Sequence, residues 1–266
     1  MLAPALALLS PAFSPLAYAG DASLVTTTKG SISLVTAAGR SPAPPAPFVL
    51  TTGQSLDLAV GATVVLLHEG VAFSLVGPKQ VDADGLQAPE TNAAGPALGA
   101  ILARKVSQAR PGASRGPKLL RPVAGAPLVA LGDVRWACAP CTDTPVTLLS
   151  RTAAEPVWSG HGAGSTRYDG QPLWPGEYSL QIGGDSYNFR VVDDAERLGV
   201  AAALDVTPPP GADPVTLATI PAAIWSQAGM PTEALYLLDR ARASYPDDPE
   251  LLRLTTELES RAGIHP

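Results

Sequence analysis

The fold is decided by residues 133–192, DVRWACAPCTDTPVTLLSRTAAEPVWSGHGAGSTRYDGQPLWPGEYSLQIGGDSYNFRVV. Short apolar runs rich in β-branched and aromatic residues recur in this stretch, and turn residues separate them, which is typical of β-strands. Residues 146–159 and residues 178–191 each contain two such runs around a turn. We therefore predict two hairpins here, as parts of a β-sandwich over residues 119–193.

Two features of this stretch resemble immunoglobulin-like and fibronectin-type-III-like sandwiches. They are the early Trp136 and the sequence Pro175-Gly176-Glu177-Tyr178 at the start of a late strand. In those folds the Trp fills the core between the sheets and the Tyr packs at a corner of the sandwich. The resemblance implies an architecture and says little about function.

The composition favours short strands and turns, because Gly and Pro account for 25 and 28 of the 266 residues. The net charge is −6 and the pI is about 5.0, which argues against non-specific attraction to nucleic acid. We expect a mainly β protein with an α-helical C-terminal tail. Its predicted order is a first β module, a β-sandwich and a helical repeat-like hairpin.

The first 19 residues are apolar and end in Ala17-Tyr18-Ala19, a triplet typical of a signal-peptidase site. Three prolines break the run, whereas about twenty unbroken apolar residues are needed to span a bilayer. We predict a cleaved signal peptide at residues 1–19 and a periplasmic or extracellular location, with no membrane span after cleavage. The positively charged start of a typical signal is missing, so Met1 is not the true start or the signal is atypical. A retained membrane anchor is the alternative to cleavage.

Residues 22–87 alternate between strand-like runs and turns, and four prolines within Ser41–Pro47 predict a loop there. The turn motifs follow in the order Leu50-x-x-Gly53, Gly61-Ala62-x-Val64, Glu69-Gly70 and Gly77-Pro78. This order resembles the FecR-like domain of bacterial envelope proteins, which implies a compact all-β unit. No sigma-factor-binding region precedes the apolar segment, so we expect the fold of that domain here and not its signalling role.

Residues 88–118 are rich in Pro and Gly and are predicted to be a linker, with one short helix possible over residues 98–106. Between Thr91 and Gly132 there are six basic residues and no acidic one: Arg104, Lys105, Arg110, Arg115, Lys118 and Arg121. A solvated linker is the expected role of such a stretch. A docking strip for an acidic surface is the alternative.

Residues 195–266 are predicted to be helical. The spacing Gly229-x-x-x-Glu233-Ala234-Leu235-x-x-Leu238-x-x-Ala241, ending at Pro246, resembles the second helix of a tetratricopeptide repeat. The first helix would start near Val215, and Pro221 should kink or interrupt it. Because one and a half repeats cannot bury a core alone, we expect the tail to pack on the sandwich or to dock to another protein. The candidate docking residues are Trp225, Tyr236, Arg240 and Tyr245.

The only two cysteines, Cys138 and Cys141, follow Trp136 and are separated by two residues. A redox site of this spacing needs a helix after the first Cys, but β-patterned residues follow here. A second Cys pair that would complete a zinc site is absent. We predict a structural disulfide, with metal binding and redox catalysis as weaker alternatives, and no cofactor.

The three histidines, His68, His161 and His265, show no spacing typical of a catalytic or metal site. His161 is the best single candidate, because it lies in a Gly-rich loop, and an enzyme would have to combine it with Asp169 or Asp185. The pairs Asp193-Asp194 and Asp247-Asp248 precede helices and are predicted to cap them. We predict that the protein is not an enzyme.

The predicted function is that of a secreted, non-enzymatic binding or scaffold protein of the cell envelope, acting through protein–protein interaction with an envelope partner. The alternative is a carbohydrate or cell-wall binding protein, in which exposed Trp158, Trp174 or Tyr168 would stack on sugars. Complete burial of those three rings would exclude the alternative.

Overall fold

The computed structural model describes residues 22–86, 94–103, 117–153 and 155–264. In this part, the chain forms sixteen β-strands and five α-helices, four of which follow the last strand. The prediction of a mainly β protein with a helical C-terminal part is therefore confirmed. The predicted signal peptide at residues 1–19 lies outside the described residues.

The N-terminal β module consists of two four-stranded sheets in which every strand pair is antiparallel. Its strands β1 to β8 are Ser23–Lys29, Ile32–Thr36, Gly39–Pro42, Phe48–Leu50, Ser55–Leu58, Thr63–His68, Val71–Val76 and Lys79–Asp82. The first sheet has the order β4-β1-β6-β7, and the second has the order β3-β2-β5-β8. Apolar side chains such as Leu56, Leu58 and Leu66 are completely buried in the core of this module.

The loop predicted over Ser41–Pro47 starts too early, because β3 includes both Ser41 and Pro42. The strand tolerates Pro42 because β3 lies at the edge of its sheet. A proline at an edge removes no hydrogen bond from the ladder when its missing N–H would face solvent. Residues 43–47 lie outside the strands, as expected.

The middle unit is built from a five-stranded and a three-stranded sheet. Its strands β9 to β16 are Lys118–Arg121, Pro127–Leu128, Asp133–Ala137, Thr144–Ser150, Pro156–Gly162, Ser165–Arg167, Gly176–Ile182 and Asp185–Val191. The sheet orders are β10-β16-β15-β12-β13 and β14-β11-β9. Both predicted hairpins, β12 with β13 and β15 with β16, are present. The parallel pairing of β10 with β16 was not predicted, because β10 has only two residues and no alternation.

The core of the middle unit contains Trp136 together with Leu148, Leu180 and Phe189, all almost completely buried. The expected place of Trp136 in the core is therefore confirmed. The ring of Tyr178 stacks on Phe189 with 5.8 Å between centroids, and its hydroxyl donates to the Trp174 carbonyl oxygen at 2.9 Å. Tyr178 thus fixes the chain where β15 begins.

The helices α1 to α5 are Ala94–Leu102, Asp194–Leu204, Pro214–Gln227, Pro231–Ser244 and Pro249–Arg261. Helix α1 lies within the range predicted as a linker and buries Leu98 and Ile101. The capping predictions are confirmed, since Asp193 accepts from the Glu196 N–H and Asp248 accepts from the N–H groups that follow it. None of the helices in the described residues has the length and apolar character needed to cross a bilayer.

Helix α3 runs without interruption through Pro221, so the expected interruption does not occur. The residues around Pro221 explain this, because Ile220, Ala222 and Ile224 are completely or almost completely buried. Tertiary packing therefore holds the helix across a residue that removes one helical hydrogen bond.

The helices pack against both β units, so packing on the sandwich, one of the two predicted roles of the tail, is present. Leu24 and Leu67, on the first sheet of the N-terminal module, share a core cluster with residues of α1, α2 and α3. A second cluster joins Val123 and Ala126, between β9 and β10, to apolar residues of α3, α4 and α5. The tail thus connects the two β units.

Candidate functional site

Helix α4 holds the segment before β11 with two side chains. One oxygen of the Glu233 carboxylate accepts hydrogen bonds from the N–H groups of Val129 at 2.7 Å and Ala130 at 3.2 Å. The Tyr236 hydroxyl donates to the Asp133 carbonyl oxygen at 2.8 Å. Burial raises the pKa of both groups, although the backbone N–H donors oppose this shift. Val129 and Ala130 lie outside the strands, so Glu233 accepts from N–H groups beyond the strand ladders, and together with the Tyr236 bond these contacts fasten the tail to the sandwich.

Arg121 of β9 forms a second connection between the sandwich and the tail. Only 4% of its side chain is exposed, and its guanidinium lies 3.3 Å from Asp239 on α4 and 2.9 Å from Glu259 on α5. Arg135 also contacts Asp239, at 3.1 Å. Because both acidic partners belong to the tail, this network fixes two helices to one strand. We interpret it as structural.

Three large apolar side chains on or directly beside α3 to α5 are exposed, and each lies near the end of a helix. Short connections join these helices, so successive helices run in opposite directions, and the starts of α3 and α5 lie at the same end as the last turn of α4. Leu217, Tyr245 and Leu252 are located at this end and are 47%, 41% and 39% exposed. We call these three residues the helix-end patch.

Charged residues of both signs lie close in sequence to the residues of the helix-end patch. Asp213 and Asp248 cap α3 and α5 at this end, and Asp247 is exposed beside them. The hydrogen bond from the Thr216 N–H is the main reason why the pKa of Asp213 is lowered, so that this carboxylate stays ionised. The exposed Arg240 lies on α4, five residues before Tyr245. An apolar centre with a mixed polar rim is the usual composition of a protein–protein interface.

The four predicted docking residues are located in two different environments. Trp225 is half-buried and packs against both core clusters of the tail, and Tyr236 contacts the sandwich. Arg240 and Tyr245 are exposed. The sequence-based prediction did not include Leu217 and Leu252, although a signal existed: both follow an Asp-Pro pair by three residues at the start of a helix.

The predicted Cys138–Cys141 pair is at disulfide distance, in the segment between β11 and β12. Gly164 packs directly on it, since a side-chain carbon at Gly164 would lie 3.2 Å from one sulfur and 3.4 Å from the other. Gly164 also has a left-handed backbone with φ of +88°. The disulfide therefore contacts the turn between β13 and β14, which is consistent with a structural role.

The histidine candidate His161 lies on strand β13 and not in the predicted loop, and its ionic neighbour is Asp143. The His161 Nδ1 atom lies 3.7 Å from Asp143, and both side chains are largely exposed. Asp169 instead accepts a hydrogen bond of 2.7 Å from the Trp158 indole N–H. His68 is buried, with Nδ1 3.0 Å from the Ser23 hydroxyl oxygen. His265 lies outside the described residues. These contacts are typical of structural or solvated histidines.

The three aromatic residues considered for sugar binding are not all buried. Trp158 and Tyr168 are half-buried and form an edge-to-face pair with 5.4 Å between ring centroids. Trp174 is 82% exposed. The condition that would have excluded the carbohydrate alternative is therefore not met.

No protein-family model matches the chain, and a search of curated proteins finds no match. The resemblances to FecR-like, immunoglobulin-like and tetratricopeptide units therefore depend only on the residues and the architecture described above.

Proposed function

We propose that the protein is a non-enzymatic scaffold of the cell envelope that docks a protein partner at the helix-end patch. The observation that carries this proposal is the exposure of Leu217 and Leu252 at matching positions of two packed helices, with the exposed Tyr245 in the connection that leads into α5. Interfaces are enriched in Tyr and Arg and surround an apolar centre with polar groups. Tyr245 and Arg240 fit that composition, so the docking proposal uses these two residues rather than Trp225 and Tyr236.

We infer further that α3 to α5 are related to tetratricopeptide repeats. Helices α3 and α5 both begin with an Asp cap followed by Pro, and both end with Ala-Gly and a buried apolar residue, Met230 or Ile264. The two helices are separated by close to the repeat length of about 34 residues. Repeats of this kind use the surface of successive helices to bind proteins.

The proposed location is outside the cytoplasm. The disulfide at Cys138 and Cys141 supports this location, because disulfides persist in oxidising compartments. The FecR-like interpretation of the N-terminal β module supports the cell envelope in particular.

The test of the docking proposal uses point variants, because removing the tail would uncover both β units. Tagged wild-type protein, Leu217→Ser/Leu252→Ser and the control Leu198→Ser are cross-linked to envelope extract of the native host. Leu198 is a suitable control because it is 61% exposed and lies on α2. We expect the double variant to lose a protein that wild type and control both retain. Recovery of the same proteins by all three would contradict the proposal.

A further inference from the structure

The loop between β14 and β15 presents one aromatic ring to solvent. The indole of Trp174 is 82% exposed, whereas Leu173, immediately before it, packs against the core of the sandwich. Full exposure of a tryptophan loses hydrophobic burial that the fold could otherwise use. The half-buried Leu173 shows that the loop contacts the core, so the exposure of Trp174 does not result from a disordered loop.

Three side-chain hydrogen bonds hold this loop in place. The Tyr178 hydroxyl donates to the Trp174 carbonyl oxygen at 2.9 Å, and the Trp158 indole donates to Asp169 at 2.7 Å. The Tyr168 hydroxyl donates to the Gln171 carbonyl oxygen. A ring on a loop that is already ordered binds a ligand with little further loss of conformational entropy.

Glycines allow two of these aromatic rings to lie against the backbone. A side-chain carbon at Gly170 would lie 2.7 Å from the Tyr168 ring, and one at Gly160 would lie 2.6 Å from the Trp158 ring. Any other residue at these positions would therefore displace a ring that anchors the loop. Glycine at positions 160 and 170 thus leaves room for the two rings that hold the loop in its ordered conformation.

A shallow depression of about 340 Å³, with both polar and apolar groups in its lining, lies beside the start of β15. Its lining includes Leu149, Ser179 and Asn188, which pair across three adjacent strands. These residues alternate with the buried Leu148, Leu180 and Phe189, so they belong to the outer face of the five-stranded sheet. Arg151 and Glu177 complete the polar lining.

Trp174 and the depression are close enough to contact one extended ligand. Glu177, which lines the depression, follows Trp174 by three residues, and three residues span at most about 10 Å. The Tyr178 hydroxyl donates to the Trp174 carbonyl oxygen, so the turn between Trp174 and the start of β15 is held in place.

We propose that Trp174 and the depression form a binding site for an uncharged oligosaccharide. A sugar ring would stack on the Trp174 indole, and its hydroxyl groups would bond with Ser179, Asn188 and Glu177. One guanidinium and one carboxylate give the lining a net charge of zero, which favours a neutral ligand over an anion or a cation. The hydroxyl, amide and carboxylate groups supply the donors and acceptors that sugar hydroxyls need. This site is separate from the helix-end patch, and neither proposal depends on the other.

The test is isothermal titration of the full chain with cellohexaose, maltohexaose, mannohexaose, xylohexaose and N-acetylated chitohexaose, and with charged pentagalacturonate for comparison. We expect binding of at least one neutral oligosaccharide, with a blue shift of tryptophan emission. We expect Trp174→Ala to weaken it about tenfold or more and Asn188→Ala to weaken it about threefold to tenfold. Trp174→Phe should retain most of the affinity.

Val60→Ala is the matched control, because Val60 is 84% exposed and belongs to the N-terminal β module. Its affinity should equal that of wild type, and urea unfolding should show that every variant is folded. Failure of all five neutral oligosaccharides to bind would overturn the proposal, as would equal binding by wild type and Trp174→Ala. Binding of pentagalacturonate alone, or Trp174-dependent capture of a protein without any oligosaccharide binding, would also overturn it. The Leu217→Ser/Leu252→Ser variant should bind the oligosaccharide like wild type, which separates this result from the docking test.

Discussion

Replacing Arg121 by Met should destabilise the whole chain, because Arg121 joins β9 to two helices of the tail. The Arg121 guanidinium contacts Asp239 at 3.3 Å and Glu259 at 2.9 Å and also donates to the Leu120 carbonyl oxygen at 2.7 Å. Methionine fills a similar volume but leaves both carboxylates without this cation. The Asp239 side chain is only 13% exposed, so water can replace little of the lost interaction.

The size of the effect follows from the exposure of the partners. Removing one member of a buried ion pair costs about 3–5 kcal/mol of unfolding free energy. Two features reduce this value here: the Glu259 side chain is 29% exposed, and Arg135 remains 3.1 Å from Asp239. We therefore expect Arg121→Met to lower the free energy of unfolding by about 2–3 kcal/mol.

Urea unfolding followed by circular dichroism measures this change, with Arg40→Met as the control. Arg40 pairs with Asp57 at the surface, so its replacement should cost less than about 1 kcal/mol. In Arg121→Met/Asp239→Asn, the loss should be smaller than the sum of the single losses. The reasoning is refuted if Arg121→Met costs less than about 1 kcal/mol or no more than Arg40→Met.

Three further changes test the connections within the chain. Tyr236→Phe removes the hydrogen bonds with Asp133 and Gly132, so unfolding in urea should show a loss of about 1–3 kcal/mol. Burial raises the pKa of Glu233 in the folded chain above the unfolded value of about 4.3. Between the unfolded and the folded pKa, the folded chain therefore binds more protons than the unfolded chain. The free energy of unfolding should fall as pH rises through this range. Glu233→Gln should remove that part of the pH dependence, and an unchanged stability profile would contradict the assignment. Replacing Cys138 and Cys141 together by Ser should lower the free energy of unfolding by roughly 2 kcal/mol, a small loss for a disulfide, because this one closes a very short loop. In the oxidised wild type, both cysteines should resist alkylation.

The sequence predicts elements whose determinants are local. The alternation of apolar residues places β12, β15 and β16, and Gly183-Gly184 between β15 and β16 forms the tight turn with positive φ at both glycines. Asp193 and Asp248 were predicted as caps for the same reason, since a cap contacts only the first turn of its own helix. Strand β10 was missed because its pairing with β16 depends on residues far away in sequence.

The candidate sites were only partly predictable. Trp174, Arg240 and Tyr245 are recognised from residue type, but the sequence does not show which distant residues Trp225 and Tyr236 pack against. Their burial depends on residues of the β units about 100 positions away or more. The depression beside β15 also requires three strands side by side, so no single segment of the sequence indicates it.

The position of the tail has a consequence for biosynthesis. Leu24 and Leu67 leave the ribosome early, but Ile220 and Ile224 of α3, which complete their core cluster, are made only after almost the whole chain. Domains generally fold as units while synthesis proceeds from the N-terminus. Until α3 is available, the nascent N-terminal β module therefore has a water-exposed apolar sheet surface, which is a binding site for chaperones. A chain that terminates before α3 would keep this apolar surface exposed to water. The exposed surface would therefore distinguish incomplete chains from complete ones and lead to their removal.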